Sequence, residues 1–503
     1  MRVDGRIFKW EKDFAGTVVR LAVPIILQSF MTAMMSIVDN LMIGQLGELE
    51  MAAVTQANRL TFWFQLTMFG LVGGCSTFTA QFWGKNDLDG IHQVHGLALR
   101  LAMGLSLVFA LPAVLIPEKI LGLLLADAQA VRIGASYLRI VGIGYLFQSV
   151  SQIYGAVQKS TQQVILPMAA GIAAIVTNTC LNALLIFGSL GAPKLGVQGA
   201  AIATVTGWAL EMLLVVVIGN CKKMMTRFTW EQLRIKTPDF VRRYLKVALP
   251  IMINESLWSL GVTIYSVVYG HMSNSAVAAM SVFSNVEQLT MVVLRGMTHA
   301  CAVLVGMEIG AGREDRAQLN AMRMLVGGMI VAQLTGMVVA LFGSQIAHLF
   351  NISVETAQSV EILVREMSML LWLMAANNIL IVGVLRAGGD VHFSMWVDPG
   401  TVWLIGAPLV YLGGIVLKLP IYYVYLLSQT ENLAKAALGF WRLKSGRWIH
   451  NLVKEQPAEE ALISGEAGEM APQGLAEQEM LGQDGLGQEL LLQEEMVREE
   501  SIQ

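Results

Sequence analysis

The sequence predicts an all-α polytopic membrane protein, with about twelve transmembrane helices in two homologous six-helix lobes. Three observations carry that expectation. The chain of 503 residues is 55% hydrophobic and only 14% charged, with a mean hydropathy of +0.58, which excludes an ordinary soluble domain. Apolar runs of about 20 residues recur along it, each long enough to cross a bilayer. The stretch from Leu21 to Asp89 is written again, without a gap, from Val247 to Asp315. Pro24 falls on Pro250, Gly44 on Gly270, Gly70 on Gly296, Cys75 on Cys301 and Gly84 on Gly310. A repeat of this length means two homologous halves. Asp39 breaks the symmetry, because its counterpart in the second copy is Tyr265.

Taken in order, the elements follow from hydropathy and charge. Residues 1–13 are polar and basic, and the first apolar run is a full span, so no cleavable signal peptide is expected. Spans are expected at 14–44, 51–82, 93–116, 130–157, 163–188 and 196–218, forming the first lobe (14–218). The basic connection 219–242 separates the lobes; it is either a short interfacial helix or a plain linker. The second lobe (243–445) repeats the pattern at 243–269, 275–308, 318–343, 356–386, 391–415 and 418–441. Residues 455–503 are rich in Glu, Gln and Gly, with Arg498 the one basic residue, and read as a disordered acidic tail. Lys and Arg concentrate before span one, at the ends of even-numbered spans and in 219–242. That bias predicts a multi-pass plasma-membrane protein with both termini cytoplasmic. Six spans separate the two copies, so they share an orientation and relate by an axis along the membrane normal.

Ionisable residues at membrane depth point to function, because they are costly there. Asp39 lies about 28 Å beyond Arg20 along span one, in its outer half. Asn178 and Asn182 lie at similar depth in span five, four residues apart and so on one face. Thr204 lies about 12 Å below the start of span six. A carboxylate, two amides and a hydroxyl thus share one level, a set suited to Na⁺ at Asp39 and Asn178 or to a proton on Asp39. The competing reading is an Asp39 near a helix end, open to water. In the second lobe, Glu255 and Glu287 either pair with Arg295 or attract a cation. Gln28 and Asn254 are equivalent repeat positions that could line a cavity. Trp63, Phe64, Met68, Trp258 and Tyr265 could wall a site for flat organic cations or be packing.

Other chemistries leave no trace. The chain has no GxxxxGK[ST], no HExxH and no GxSxG, so no ATPase, zinc-protease or hydrolase activity is expected, and it is not read as an enzyme. The four cysteines form no metal spacing and read as packing residues. The close pair His92 and His95 reads as solvated in a loop. No cofactor beyond a bound Na⁺ or proton and no nucleic-acid partner is expected.

The Pro24 helix with VDNLMIGQLG, the AQFWGKND ending span two, the GVQGAAIATV opening span six and the LRAGGD ending span ten resemble the multidrug and toxic compound extrusion (MATE) family, in order, over residues 14 to 445. The resemblance implies two six-helix lobes around a central cleft, and antiport of organic cations against Na⁺ or H⁺ by alternating access. It implies that Asp39 binds the coupling ion with Asn178, Asn182 and Thr204. Where the family carries an acid four residues after the span-five Asn, this chain has Asn182. Span ten carries Asn377 and Asn378 where some members place an acid. A monomer acting on a small, cationic organic substrate is expected. The alternatives are a lipid-linked saccharide flippase of the same superfamily, disfavoured by few buried Lys or Arg, and a membrane scaffold that has lost transport.

Overall fold

Backbone groups in hydrocarbon must be satisfied within the segment, so the apolar runs fold as helices. The computed structural model describes residues 12–222, 224, 226, 238–343, 345 and 353–454. Residues 1–11, most of the 219–242 connection and the 455–503 tail lie outside the described residues.

The first lobe comprises α1 (Lys12–Gly44), α2 (Glu48–Lys85), α3 (Leu88–Leu115), the short α4 (Pro117–Gly122), α5 (Ala128–Ser160), α6 (Ile165–Phe187) and α7 (Val197–Cys221). The second comprises α8 (Pro238–Met272), α9 (Asn274–Gly310), α10 (Glu314–Leu341), α11 (Val354–Arg386), α12 (Val391–Val416) and α13 (Ile421–Ser445). Among the described residues, ten of these are long and apolar enough to cross a membrane. The sequence expects α2 and α13 to span as well; α13 carries Glu431 and Lys435 in its interior. Local chemistry sets the boundaries. Asp87 caps α3 through Gly90 N, Asp127 caps α5, Ser273 caps α9 and Ser353 caps α11. The end of α11 (Ile379–Arg386) and two stretches of α12 (Val402–Gly406 and Leu412–Val416) are π-helical. Such turns shift the register of everything beyond them.

The lobes meet along α1 and α2 of one and α8 and α9 of the other. The duplicated glycines explain how. A Cβ on Gly84 would stand 1.9 Å from the Met307 carbonyl oxygen, and one on Gly310 1.8 Å from that of Gln81. A Cβ on Gly70 would meet Met252 at 2.0 Å, and one on Gly296 would meet Ile26 at 2.3 Å. In repeat numbering Gln81 is the counterpart of Met307, and Ile26 of Met252. Each contact is therefore made twice, related by the internal two-fold. Ala80 and its own counterpart Gly306 touch each other, which puts them on the axis.

All these contacts lie on the halves of the helices nearer the start of α1. On the other halves, Phe62, Trp63, Leu257 and Trp258 are exposed. A segment after α13 crosses the seam. Trp448 is fully buried and donates to Gln318 Oε1 at 2.9 Å. His450 N bonds Gly388 O at 2.8 Å, beside a Gly389–Ile449 bridge. Gln81, on α2, donates to both Ala387 O and His450 O at 3.2 Å and accepts from Leu452 N at 2.8 Å.

Candidate functional site

The first lobe gathers its polar side chains where three helices converge. Asp39 sits near the end of α1 away from the seam, Asn178 and Asn182 one turn apart on α6, and Thr204 in the opening turns of α7. The hydrogen bonds diverge from Asn182. Thr204 Oγ1 donates to Ala200 O at 3.0 Å and accepts from Asn178 Nδ2 at 3.3 Å. Asn182 Nδ2 donates to Asn178 Oδ1 at 3.0 Å and to Asp39 Oδ1 at 2.7 Å. Asn182 therefore donates both ways: one N–H starts the chain through Asn178 and Thr204 to Ala200 O, and the other points at the Asp39 carboxylate. Asn178 and Asn182 are buried, whereas Asp39 is half-buried. Among the described residues no Lys or Arg pairs with Asp39. Asn182 Oδ1 is buried without a hydrogen-bond partner. An unpaired carboxylate beside an unused amide oxygen can receive a cation, because both present lone pairs to a low-dielectric site. Tyr137 of α5 lies within electrostatic reach of Asp39 and donates to Asn58 Oδ1 at 3.2 Å. The sequence reading missed both, since neither belongs to a motif.

The second lobe solves the same problem differently. Tyr265, the counterpart of Asp39, donates its hydroxyl proton to Glu431 Oε2. Glu431 Oε1 lies 3.2 Å from Lys435 Nζ, which lies 3.0 Å from Asp398 Oδ1. Asp398 Oδ2 is 3.7 Å from Arg386 Nη2, and Arg386 Nη1 is 2.7 Å from Glu255 Oε1. The Arg386 and Lys435 side chains are only 5% exposed. This chain of alternating charge joins α8, α11, α12 and α13. Removing one partner of such a buried pair costs about 3–5 kcal/mol, because the other is left uncompensated.

Several sequence expectations change. Glu255 pairs with Arg386, not with Arg295, because Arg386 ends the π-helical stretch of α11 and is turned inward. Glu287 forms no ion pair among the described residues and lies beside Tyr269 and Tyr425. Gln28 and Asn254 are interhelical ties: Gln28 Nε2 donates to Pro167 O at 3.3 Å, and Asn254 Nδ2 to Ser394 O at 3.0 Å. Asn377 binds Asn432 at 2.9 Å. The aromatic set does not form one wall. Phe64 stacks on Tyr145 at 4.5 Å and Met68 is buried, while Trp63 and Trp258 are exposed and Tyr265 belongs to the charge chain. His95 is not in a loop; α3 begins at Leu88, and His95 is fully buried edge-on to Tyr154 at 4.6 Å. Buried Lys and Arg are few among the described residues: Arg323, Arg386 and Lys435. Those last two face carboxylates rather than a cavity. Cys75 and Cys301 are buried, and Cys180 and Cys221 exposed. No cluster of three or more His, Cys, Asp or Glu suited to a metal occurs among the described residues.

The chain is 23% identical over 433 residues to the uncharacterized transporter YisQ of Bacillus subtilis, covering 85% of this chain and 93% of the relative. It is 24% identical over 431 residues to a probable multidrug resistance protein NorM of Bacillus cereus, covering 84% and 90%. A crystal structure of MATE in complex with MaL6 superposes with a TM-score of 0.80 at 17% identity, covering 88% of this chain and 98% of that one. The MatE family model matches twice, over residues 24–184 and 250–412, once in each lobe, and on that double match the chain belongs to the MatE family of membrane transporters.

Proposed function

We propose that this protein exports small organic cations across the plasma membrane by antiport against a monovalent cation, with Asp39 as the group that binds and releases it. The observation that carries the reading is the Asp39 site: a carboxylate held by one neutral amide, with no basic partner among the described residues and an unused buried oxygen beside it. The relatives named for multidrug resistance support a drug-like substrate. The seam between the lobes supports alternating access, since the close glycine approaches sit on one half of the lobe interface while Phe62, Trp63, Leu257 and Trp258 on the other half are exposed. The Lys and Arg bias favours a cytoplasmic closed half, a placement that is consistent with an outward-open state. A gradient moves such an equilibrium only if the cation binds one state more tightly, by a few kcal/mol for a large population shift. Asp39 supplies that difference if its access to water changes as the lobes rock. With Asn182 in place of an acid, the site carries one negative charge rather than two, which favours a proton over Na⁺. Asp39→Asn keeps the shape and removes the titration. At matched membrane levels it is expected to abolish gradient-driven export of a fluorescent cationic dye. Export at the parent rate would remove Asp39 from the mechanism.

A further inference from the structure

The two lobes differ in how they neutralise their acids. In the first, Asp39 has no charged partner among the described residues. In the second, every acid of the charge chain touches a cation of the protein itself: Glu255 touches Arg386, Asp398 touches both Arg386 and Lys435, and Glu431 touches Lys435. The elements correspond. Asp39, Asn178, Asn182 and Thr204 come from the first, fifth and sixth long helices after the start of their lobe, leaving out the short α4. Tyr265, Gly406 and Glu431 come from α8, α12 and α13, in the same order in theirs. Gly406 shows how tightly this corner is closed. A Cβ there would fall on the Tyr265 hydroxyl and on Glu431 Oε2, so the helix approaches with nothing between.

We infer that Lys435 is a built-in counter-cation that occupies the second lobe's equivalent of the ion site and closes that site to exchangeable cations. The ammonium carries the charge of Na⁺ or H₃O⁺, lies at ligand-like distance from two carboxylates and is tethered, so no ion from solution competes with it at ordinary concentrations. The neighbours complete the shell. Tyr265 donates to Glu431 from α8, Tyr269 of the same helix lies beside Glu431 and Glu287, and Arg386 shares Asp398 from α11. Counting Glu255, Asp398 and Glu431 against Arg386 and Lys435, the chain holds one more acid than base, and loss of Lys435 leaves two uncompensated. The Glu255, Asp398 and Glu431 carboxylates are then closed to exchangeable cations, whereas Asp39 is not. This inference rests on the reading of Asp39 given above, but its test does not require Asp39 to be the coupling residue.

The test uses the purified full-length chain at pH 8, with choline replaced by Na⁺ at constant ionic strength and the melting temperature as readout. Asp39→Asn is expected to show no Na⁺-specific shift. Asp39→Asn combined with Lys435→Ala is expected to gain a Na⁺-specific rise of a few degrees, and Lys435→Arg in the same background to gain none. A Na⁺-specific shift in Asp39→Asn with Lys435 present would overturn the inference without any Lys435 variant needing to fold. A double variant that melts cooperatively and ignores Na⁺ would overturn it as well. Failure of Asp39→Asn to impair export would instead count against the proposed function only.

Discussion

At the scale of single residues, the informative contrast is Asp39 with Asn182. The Asn182 side chain points its N–H at Asp39 and leaves its oxygen unused, so it stabilises a carboxylate without adding charge. Asn182→Asp exchanges that donor for a second carboxylate about 3 Å away, a spacing at which like charges resist joint ionisation. A cation bridging both relieves the repulsion better than one proton does. Export by Asn182→Asp is expected to become Na⁺-responsive, the site holding Na⁺ on the order of tenfold more tightly than in the parent, or about 1.4 kcal/mol. Dye accumulation measured against Na⁺ at fixed pH checks this; an unchanged Na⁺ response would show that Asn182 does not touch the ion.

At the scale of elements, the seam depends on helices that approach at glycine. Gly84 and Gly310 each face a carbonyl oxygen of the opposing helix at a distance that no Cβ tolerates. Neither backbone can yield as a flexible side chain would, so Gly310→Ala must part α9 from α2. Overpacking of this kind costs roughly 1–3 kcal/mol. Gly310→Ala is expected to lower the melting temperature by a few degrees and to slow export. Gly104→Ala, whose Cβ would meet nothing within 4 Å, is expected to do neither. Equal melting of the two variants would mean that the glycines of the seam are incidental. The helix ends follow the same logic as the seam. Where a capping side chain was present, as at Asp87 or Ser353, the start of the helix was set by local chemistry. The π-helical turns of α11 and α12 had no such signal, and they decide which way Arg386 and Gly406 face.

For the whole molecule, the closed half of the interface is held by packing and by the segment after α13. Gln81 makes three hydrogen bonds to that segment and the end of α11, and all three cross the seam. Gln81→Ala leaves their partners unpaired, at about 1–3 kcal/mol for each group that water cannot reach. The variant is expected to open the seam more often. Cys75, fully buried on α2 next to Tyr244 of α8, reports this directly. In a background with Cys180, Cys221 and Cys301 replaced by serine, a small membrane-permeant maleimide is expected to label Cys75 about tenfold faster in Gln81→Ala, for about 1.4 kcal/mol of destabilisation. Labelling at the parent rate would show that the segment does not hold the lobes together.

Much of this was written in the sequence by itself. Apolar run length sets the helices, because a bilayer leaves the backbone no other partner. The ungapped repeat sets the two lobes, and even the seam is foreshadowed in it, since Gly70, Gly84, Gly296 and Gly310 are the positions it preserves. The level shared by Asp39, Asn178, Asn182 and Thr204 followed from a rise of about 1.5 Å per residue along helices of known direction. What the tertiary structure alone decided is which neighbour each buried polar group meets. Tyr265 and Glu431, or Glu255 and Arg386, are separated by more than a hundred residues, and no motif spans either pair. Helical periodicity gives the depth and face of a side chain, but not the helix opposite it. That choice is made by packing, by π-turns that rotate a helix part-way along, and by the need of every buried charge to find its opposite. It turned Gln28 and Asn254 into ties, put His95 inside a helix bundle, and gave the second lobe a lysine where the first leaves a carboxylate open.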